Sequence, residues 1–404
     1  MTPDDLLGRA STHLRALCVE ISNRRVGSEG NRAATHYAAG ELRQSGWEVD
    51  TPAFDCIDWT ETGAEIAVDG ERFEAYPSPY SVGCAVEAPL VTAGSLPELE
   101  ALRPAGRVLL LHGELAREPL MPRNFPFYNP DEHRRIYEAL EARTPAAIAT
   151  ATAYNPSMAG ALYPLPMFED GDFDLPSVYL TVEEGARLAA RAGERVRVES
   201  RARRLPSTGC NVVGRRGPGG QRVVVFAHID TRLGTPGAND NASGVCALLL
   251  LADALRSDRL SLQVELVAMN GEDYYANPGE RQYLAANEGR FDSIRLGVNL
   301  DDVGYLHGQV AYSLYGVPEE MANLIRARLE VCPGLVEGEA WYQGDHGLFL
   351  MHQRPALAMT TDRLAEVMAS ITHSPQDTID KVDPAKPARV AGALRDLILA
   401  LGAE

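Results

Sequence analysis

The sequence has few cysteines, and they are far apart. Six occur in 404 residues, and none of them forms a CxxC pair. A small fold held together by disulfides needs densely spaced cysteines. We therefore expect reduced thiols, and a disulfide scaffold is excluded.

Long apolar runs are also missing. No stretch approaches the roughly 18 apolar residues that a membrane-spanning helix requires. The opening segment, MTPDDLLGRASTHLRALCVE, carries acidic residues where a signal peptide has basic ones. These features predict a cytoplasmic protein without a membrane partner.

Positive charge is scarce. The chain has 38 Lys and Arg against 56 Asp and Glu, a net charge of −18, so a nucleic-acid backbone would be repelled unless basic residues were concentrated in one place. The densest basic run, formed by Arg201, Arg203 and Arg204, is short and is expected at a solvated strand end. Nucleic acid is therefore not expected as a partner, although the acidity does not indicate the charge of a substrate.

The sequence does contain enough apolar residues, 45%, for a large core and two or three domains. Apolar residues recur at helical spacing from Leu6 to Val19 and from Asn31 to Gln44. Proline becomes frequent between about residues 75 and 205. We therefore expect one domain built from residues 1–74 and 206–404, interrupted by a smaller α/β or β-rich domain at 75–205.

From Cys210 onward, apolar strands such as RVVVFAH, LQVELVAM and RLGVNLD alternate with helices. Near-continuous apolar strands alternating with helices are typical of a sheet buried on both faces. The predicted fold is α/β, with a mixed, largely parallel central sheet flanked by helices.

Acidic and imidazole side chains follow the ends of three of these strands. His228 and Asp230 end the first, Glu272 and Asp273 follow the second, and Asp301 follows the third. Asp240, in the loop GANDNASG, and His373, in THSPQDT, add two more. Sheets of this kind bind ligands beyond the carboxyl ends of their strands.

Carboxylates gathered at one buried edge would repel one another, and one or two divalent cations would remove that cost. Zinc accepts both carboxylate oxygen and neutral imidazole as ligands. A single Asp at a strand end is more often a capping or turn residue. Several at successive strand ends favour a metal site.

The chain resembles the M28 family of metallopeptidases, the di-zinc aminopeptidases. The resemblance rests on HID followed by GANDNASGV, then GED, NLDDVG, GDHGLF and HSPQDT, in the family's order, together with RRVGSEGNRAATHYAAGELRQSGWEV near the start. More loosely, residues 75–205 resemble the protease-associated domain that some members carry as an insertion.

The resemblance implies two divalent ions, expected to be zinc. His228 and Asp301 would hold one ion, Asp273 and His373 the other, and Asp240 would bridge them. The remaining site residues carry other implied roles. Glu272 would be the general base, Asp230 would orient His228, and Asp345, His346 and Tyr342 would lie near the substrate, although loop bracing is an equal alternative for His346.

Two features depart from the family. The usual Glu-Glu pair is Glu272-Asp273 here, so one ligand arm is shorter by a methylene and the second metal is expected to bind closer to the strand or more weakly. The following segment, YYANPGERQYL, replaces the family's small and apolar residues, which predicts an unusual substrate preference.

The function implied is release of amino-terminal residues from short peptides. A carboxypeptidase, an amidase acting on a non-peptide metabolite, and a peptide-binding protein with a decayed centre remain alternatives, and a homo-oligomer remains open. The intact Glu272 and the complete ligand set count against decay.

Overall fold

The computed structural model describes residues 3–21, 23–125, 128–157, 159–342 and 344–403. The chain divides into two compact units, the first comprising Met1–Cys56 and Thr208–Glu404 and the second Ile57–Ser207. None of the helices in the described ranges is long and apolar enough to cross a bilayer. All six cysteines are free thiols.

The helices, in chain order, are α1 (Pro3–Arg15), α2 (Glu29–Gln44), α3 (Leu96–Ala101), α4 (Asp131–Arg143), α5 (Val182–Ala189), α6 (Gly244–Leu255), α7 (Pro278–Ala286), α8 (Glu319–Leu329), α9 (Gly347–Met351), α10 (Leu364–Ser370) and α11 (Ala385–Leu401). Wider helical turns at Ala16–Glu20 and Ala238–Ser243 extend α1 and precede α6. Tighter helical turns lie at Gly113–Ala116, Ala159–Ala161, Phe291–Ser293 and Ile379–Lys381.

The strands are β1 (Glu48–Asp50), β2 (Ala53–Val68), β3 (Glu71–Pro77), β4 (Cys84–Ala93), β5 (Val108–Leu111), β6 (Ala147–Thr152), β7 (Ser177–Thr181), β8 (Arg195–Cys210), β9 (Val212–Arg216), β10 (Arg222–His228), β11 (Gln263–Met269), β12 (Ile294–Leu300), β13 (Val310–Tyr315), β14 (Leu335–Glu337) and β15 (Ala356–Thr361).

The first unit is built on an eight-stranded sheet in the order β1-β9-β11-β10-β12-β15-β13-β14. The four strands at its centre, β11, β10, β12 and β15, are parallel to one another. Antiparallel pairings of β9 with β11 and of β13 with β15 lie on either side of them. The mixed, largely parallel sheet predicted from the sequence is therefore confirmed.

Both faces of this sheet are covered, which explains why its strands read as nearly unbroken apolar runs. Val223, Val225 and Ala227 of β10 belong to the main core cluster together with apolar residues of α1, α2, α6, α8 and α11. Phe226, on the opposite face, packs 4.7 Å from the ring of Phe349 in α9 and 4.9 Å from that of Tyr283 in α7. His228 follows Phe226 by two residues and therefore shares its face.

The second unit is a closed barrel in the order β2-β3-β7-β6-β5-β4-β8. Strands β4, β5, β6 and β7 run parallel, and β2, β3 and β8 join them by antiparallel pairings. Two hydrophobic clusters fill this unit. It is thus a smaller domain with its own core.

This unit begins earlier in the chain than the sequence suggested. The expected boundary at residue 75 falls inside β3, whereas the structure places the boundary at Ile57. Strands β2 and β3 pair antiparallel, Ala64 with Ala75 through Val68 with Glu71, so they belong together. Composition misses this because proline becomes frequent only after the hairpin. The likeness of this unit to a protease-associated domain stays a prediction.

Candidate metal centre

The side chains singled out in the sequence gather beyond the carboxyl ends of three adjacent parallel strands. His228 is the last residue of β10, Asp301 directly follows β12, and Asp273 lies just after β11. Because β10 lies between β11 and β12, these ends meet at one edge. Asp240 comes from the turn before α6, and His373 comes from the segment after α10.

Asp240 lies between the two histidines. Its Oδ1 is 3.0 Å from His228 Nε2, and its Oδ2 is 3.2 Å from His373 Nε2. The other carboxylates follow the same division: Asp301 Oδ1 is 3.5 Å from His228 Nε2, and Asp273 Oδ1 is 2.8 Å from His373 Nε2. Asp240 thus presents one oxygen to each half of the cluster.

Ligand atoms from these residues meet in overlapping sets. The part of the chain that the structure describes has three such sets, and the atoms of each set lie within 4.8 Å of one another. The first set is His228, Asp240 and Asp301, and the second is Asp240, Asp273 and His373. The third is His228, Glu272 and Asp273. Asp273 Oδ2 is also buried without a hydrogen-bond partner among the described residues. Oxygen and imidazole nitrogen at this density fit a divalent cation such as zinc.

The electrostatics indicate the same need for positive charge. Burial lowers the pKa of His228, but Glu272 and contacts with Asp230, Asp240 and Asp301 outweigh burial and raise that pKa well above its usual value. The pKa of His373 is also raised, because Asp273 and Asp240 overcome burial. The imidazoles take up protons here for the same reason that the centre would bind a cation.

Asp230 makes contacts that the sequence did not predict. Its Oδ1 lies 3.8 Å from His228 Nδ1, which is longer than a hydrogen bond. Its oxygens instead accept hydrogen bonds from the backbone N–H groups of Gly271 and Asp273, at 2.7 and 3.0 Å. Asp230 therefore ties the end of β10 to the segment that carries Glu272 and Asp273.

Glu272 is partly buried, and most of its charged neighbours are negative. Burial raises its pKa well above the usual carboxyl value; His228 opposes this, while Asp273, Asp345 and Asp301 add to it. A carboxyl with a raised pKa is suited to accept a proton and return it near neutral pH. This is the electrostatic setting that a general base requires.

Asp345 has a neighbour that sequence reasoning missed. Glu280, in the first turn of α7, is buried and lies close enough to Asp345 for each carboxyl to change the pKa of the other. Burial raises the pKa of Asp345 to about 6 and that of Glu280 well above its usual value. One shared proton satisfies such a pair. The signal was present in the sequence, since Glu280 lies in the segment that departs from the family.

The two aromatic candidates lie outside the ligand cluster. His346 is fully buried, its Nε2 donates to the carbonyl oxygen of Trp341 at 3.0 Å, and burial lowers its pKa to about 4. A neutral imidazole that donates through Nε2 has only an acceptor at Nδ1, so it cannot donate to an oxyanion. Tyr342 is 77% exposed and packs edge-on against Tyr315. These contacts favour loop bracing for His346.

Two further buried residues hold the Asp240 segment in place. Asp377 accepts hydrogen bonds from the backbone N–H groups of Asn239 and Asp240, at 2.8 and 3.0 Å. Arg24 donates to the carbonyl oxygens of Ile229, Pro236 and Gly237, at 2.7–2.9 Å. Arg24 lies far away in sequence, so no local pattern could have linked it to this segment.

Comparison with known proteins agrees with this architecture. A curated relative, the probable lipoprotein aminopeptidase LpqL of Mycobacterium tuberculosis, is 27% identical over 273 residues, which cover 65% of this chain and 51% of the relative. The chain therefore spans about half the length of that relative.

Solved structures show the same fold along nearly the whole chain. The zinc aminopeptidase of Bacillus subtilis superposes with a TM-score of 0.74 at 19% identity, covering 98% of this chain and 94% of that one. The aminopeptidase of Aneurinibacillus sp. strain AM-1 gives a TM-score of 0.72 at 20% identity, covering 98% and 93%.

The family itself is identified by a sequence profile. The profile of peptidase family M28 matches residues 211–398, the segment that supplies every candidate metal ligand. Residues 211–398, which carry the ligand cluster, therefore form a peptidase M28 domain, the domain of a family of metallopeptidases.

Proposed function

We propose that this protein is an aminopeptidase that uses two divalent metal ions, expected to be zinc, to release amino-terminal residues from short peptides. The observation that carries the proposal is the position of Asp240, whose two oxygens face His228 and His373 separately. The names of the relatives, a probable lipoprotein aminopeptidase and a zinc aminopeptidase, support the same substrate class.

In the proposed centre, His228 and Asp301 would hold one ion, Asp273 and His373 would hold the other, and Asp240 would contribute to both. Bound divalent ions supply Lewis acidity, which acidifies water and polarises a carbonyl oxygen. Asp230 keeps Glu272 and Asp273 in register with β10 through its two backbone hydrogen bonds.

Glu272 moves the proton. It accepts one from the attacking water as the new C–O bond forms, then passes it to the amide nitrogen as the C–N bond breaks. The second proton of the water passes from the new carboxylic acid to the amine, so the products are a carboxylate and an ammonium group, and Glu272 returns to its ionised state. Burial and its negatively charged neighbours raise its pKa, which helps Glu272 to hold the proton between the two transfers.

The proposal is tested with aminoacyl and N-blocked substrates, each assayed with and without a chelator. We expect turnover only of substrates with a free amino terminus, and loss of turnover with chelator. Equal turnover of blocked substrates would instead indicate an amidase or a carboxypeptidase. Turnover that survives chelation would rule out the metal mechanism, and no turnover at all by the metal-loaded protein would favour a binding protein.

The role of Glu272 has its own test. Glu272→Gln removes the base but no proposed ligand, so turnover should fall by about 100- to 10,000-fold with metal content nearly unchanged. The exposed Glu288 provides a matched control, and Glu288→Gln should retain full turnover. Loss of metal from Glu272→Gln would show that base and ligand roles are misassigned.

A further inference from the structure

A cation of the protein itself touches one half of the ligand cluster. Arg232, in the loop between β10 and α6, has its Nε 3.2 Å from Asp273 Oδ1, the same oxygen that lies 2.8 Å from His373 Nε2. The Asp273 side chain is only 2% exposed, whereas the Arg232 side chain is 32% exposed. The guanidinium therefore reaches the buried carboxylate from the side open to solvent.

The other half of the cluster, formed by His228, Asp240 and Asp301, has no such contact among the described residues. Over the described ranges, no arginine or lysine forms an ion pair with Asp301 or Asp240, whose ion-pair contacts are with histidines. The two halves share Asp240 and each has one histidine and one further aspartate. They differ in that a permanent positive charge lies against one of those aspartates.

That charge affects metal binding in two ways. Arginine stays protonated at any pH the protein tolerates, so it cannot yield its charge to an incoming ion, as histidine does. Its charge also repels a divalent cation a few ångströms away, and it shares the Asp273 oxygen that the cation needs. Both effects act on the half formed by Asp240, Asp273 and His373.

We infer that Arg232 makes the position formed by Asp240, Asp273 and His373 the weaker and more readily exchanged of two metal positions. This rests on the proposed two-ion function. Before metal binds, Arg232 offsets the buried charge of Asp273. After metal binds, Arg232 lowers the affinity of that position.

The test measures metal binding without substrate. Metal-free wild type, Arg232→Gln and Arg232→Lys are titrated with Zn2+ by calorimetry, and bound zinc is counted after dialysis against graded chelator. Arg259→Gln is the matched control: Arg259 is exposed and precedes β11, at the opposite end of that strand from Asp273. Circular dichroism verifies that each variant is folded.

We expect two binding steps in wild type. Arg232→Gln should strengthen the weaker step by about tenfold, leaving the stronger step unchanged. Arg232→Lys, which keeps the charge, and Arg259→Gln should behave like wild type.

Three results would overturn the inference: equal steps in wild type, an unchanged weaker step in Arg232→Gln, or equal strengthening by Arg232→Lys. Binding of a single zinc ion by the wild type would contradict both this inference and the proposed two-ion function. Two unequal zinc-binding steps in a protein without peptidase turnover would contradict only the proposed function.

Discussion

Histidines at the carboxyl end of the central sheet and histidines buried elsewhere in the same unit have opposite pKa shifts. His13 in α1 and His346 before α9 have pKa values lowered to about 4 by burial. His228 and His373 have pKa values raised well above the usual one, although burial acts on them in the same direction.

The cause lies in their neighbours. His13 Nδ1 meets the hydroxyl of Tyr37 at 2.7 Å, and His346 meets a backbone carbonyl, so both stay neutral. His228 and His373 each face carboxylates within 3.5 Å. Burial alone therefore does not mark the functional edge. What distinguishes the candidate metal site is buried negative charge that is not balanced by nearby positive charge.

We expect the largest effect from removing the carboxylate of Asp240, which lies between the two histidines whose pKa values are raised. Asp240→Asn should cost metal affinity in both halves of the cluster, by more than the roughly 10- to 100-fold seen when only a ligand's supporting contact is lost. It should also bring the pKa values of His228 and His373 closer to those of His13 and His346. Metal analysis and NMR titration measure both effects.

Asp292 provides a control for this change, because its side chain is fully exposed. Asp292→Asn should bind metal like wild type. If Asp240→Asn also kept normal metal content, Asp240 would not be a shared ligand.

A second prediction concerns pH. A metal ion needs neutral imidazole, and the raised pKa values keep protons on His228 and His373 above pH 6.5. Metal binding should therefore release up to two protons, and affinity should rise with pH by up to about 100-fold per unit until those raised pKa values are passed. Calorimetry at pH 7 in buffers of different ionisation enthalpy counts the protons. Metal binding without proton release would contradict the raised pKa values of His228 and His373, and with them the contrast with His13 and His346.

The smallest effect is expected at His13 and concerns stability alone. Its pKa falls from 6.5 to about 4 on folding. Above pH 6.5 both states are neutral; below it the unfolded chain takes up a proton that the folded chain refuses, so stability is lost as pH falls toward 4. At about 1.4 kcal/mol per pKa unit, the loss is up to about 3 kcal/mol.

His13→Gln should reduce that pH dependence and leave activity unchanged, as measured by denaturant unfolding at pH 7 and pH 5. His36→Gln is the control, because His36 is exposed. An identical pH dependence in His13→Gln and wild type would mean that His13 is charged in the folded state.

Much of the fold could be predicted because its signals are local. The apolar run of β10, the alternation with α6 and the helical spacing of α2 each follow from residues close in sequence. The domain boundary was less accessible, because β2 and β3 are assigned to the second unit by their pairing rather than by composition.

The candidate ligands could also be predicted, because parallel strands bring their carboxyl ends together. The sequence pointed to Asp230 as a supporting residue but not to the contacts that it makes, and it did not single out Asp377 or Glu280. Asp230 bonds to the segment after β11, Asp377 holds the backbone of Asp240, and Glu280 meets Asp345. Each contact joins segments that are distant in sequence, so residue type and short-range spacing do not predict it.

The sequence by itself determined the α/β class, the match of residues 211–398 to peptidase family M28 and the set of acidic and imidazole residues at the strand ends, since these depend on residue type and short-range spacing. Only the tertiary structure decided which oxygen of Asp240 faces which histidine, and that Arg232 lies against Asp273 and not against Asp301. The physical reason is that charge acts over a few ångströms in space, and the chain sets those distances only when the strands and loops have packed.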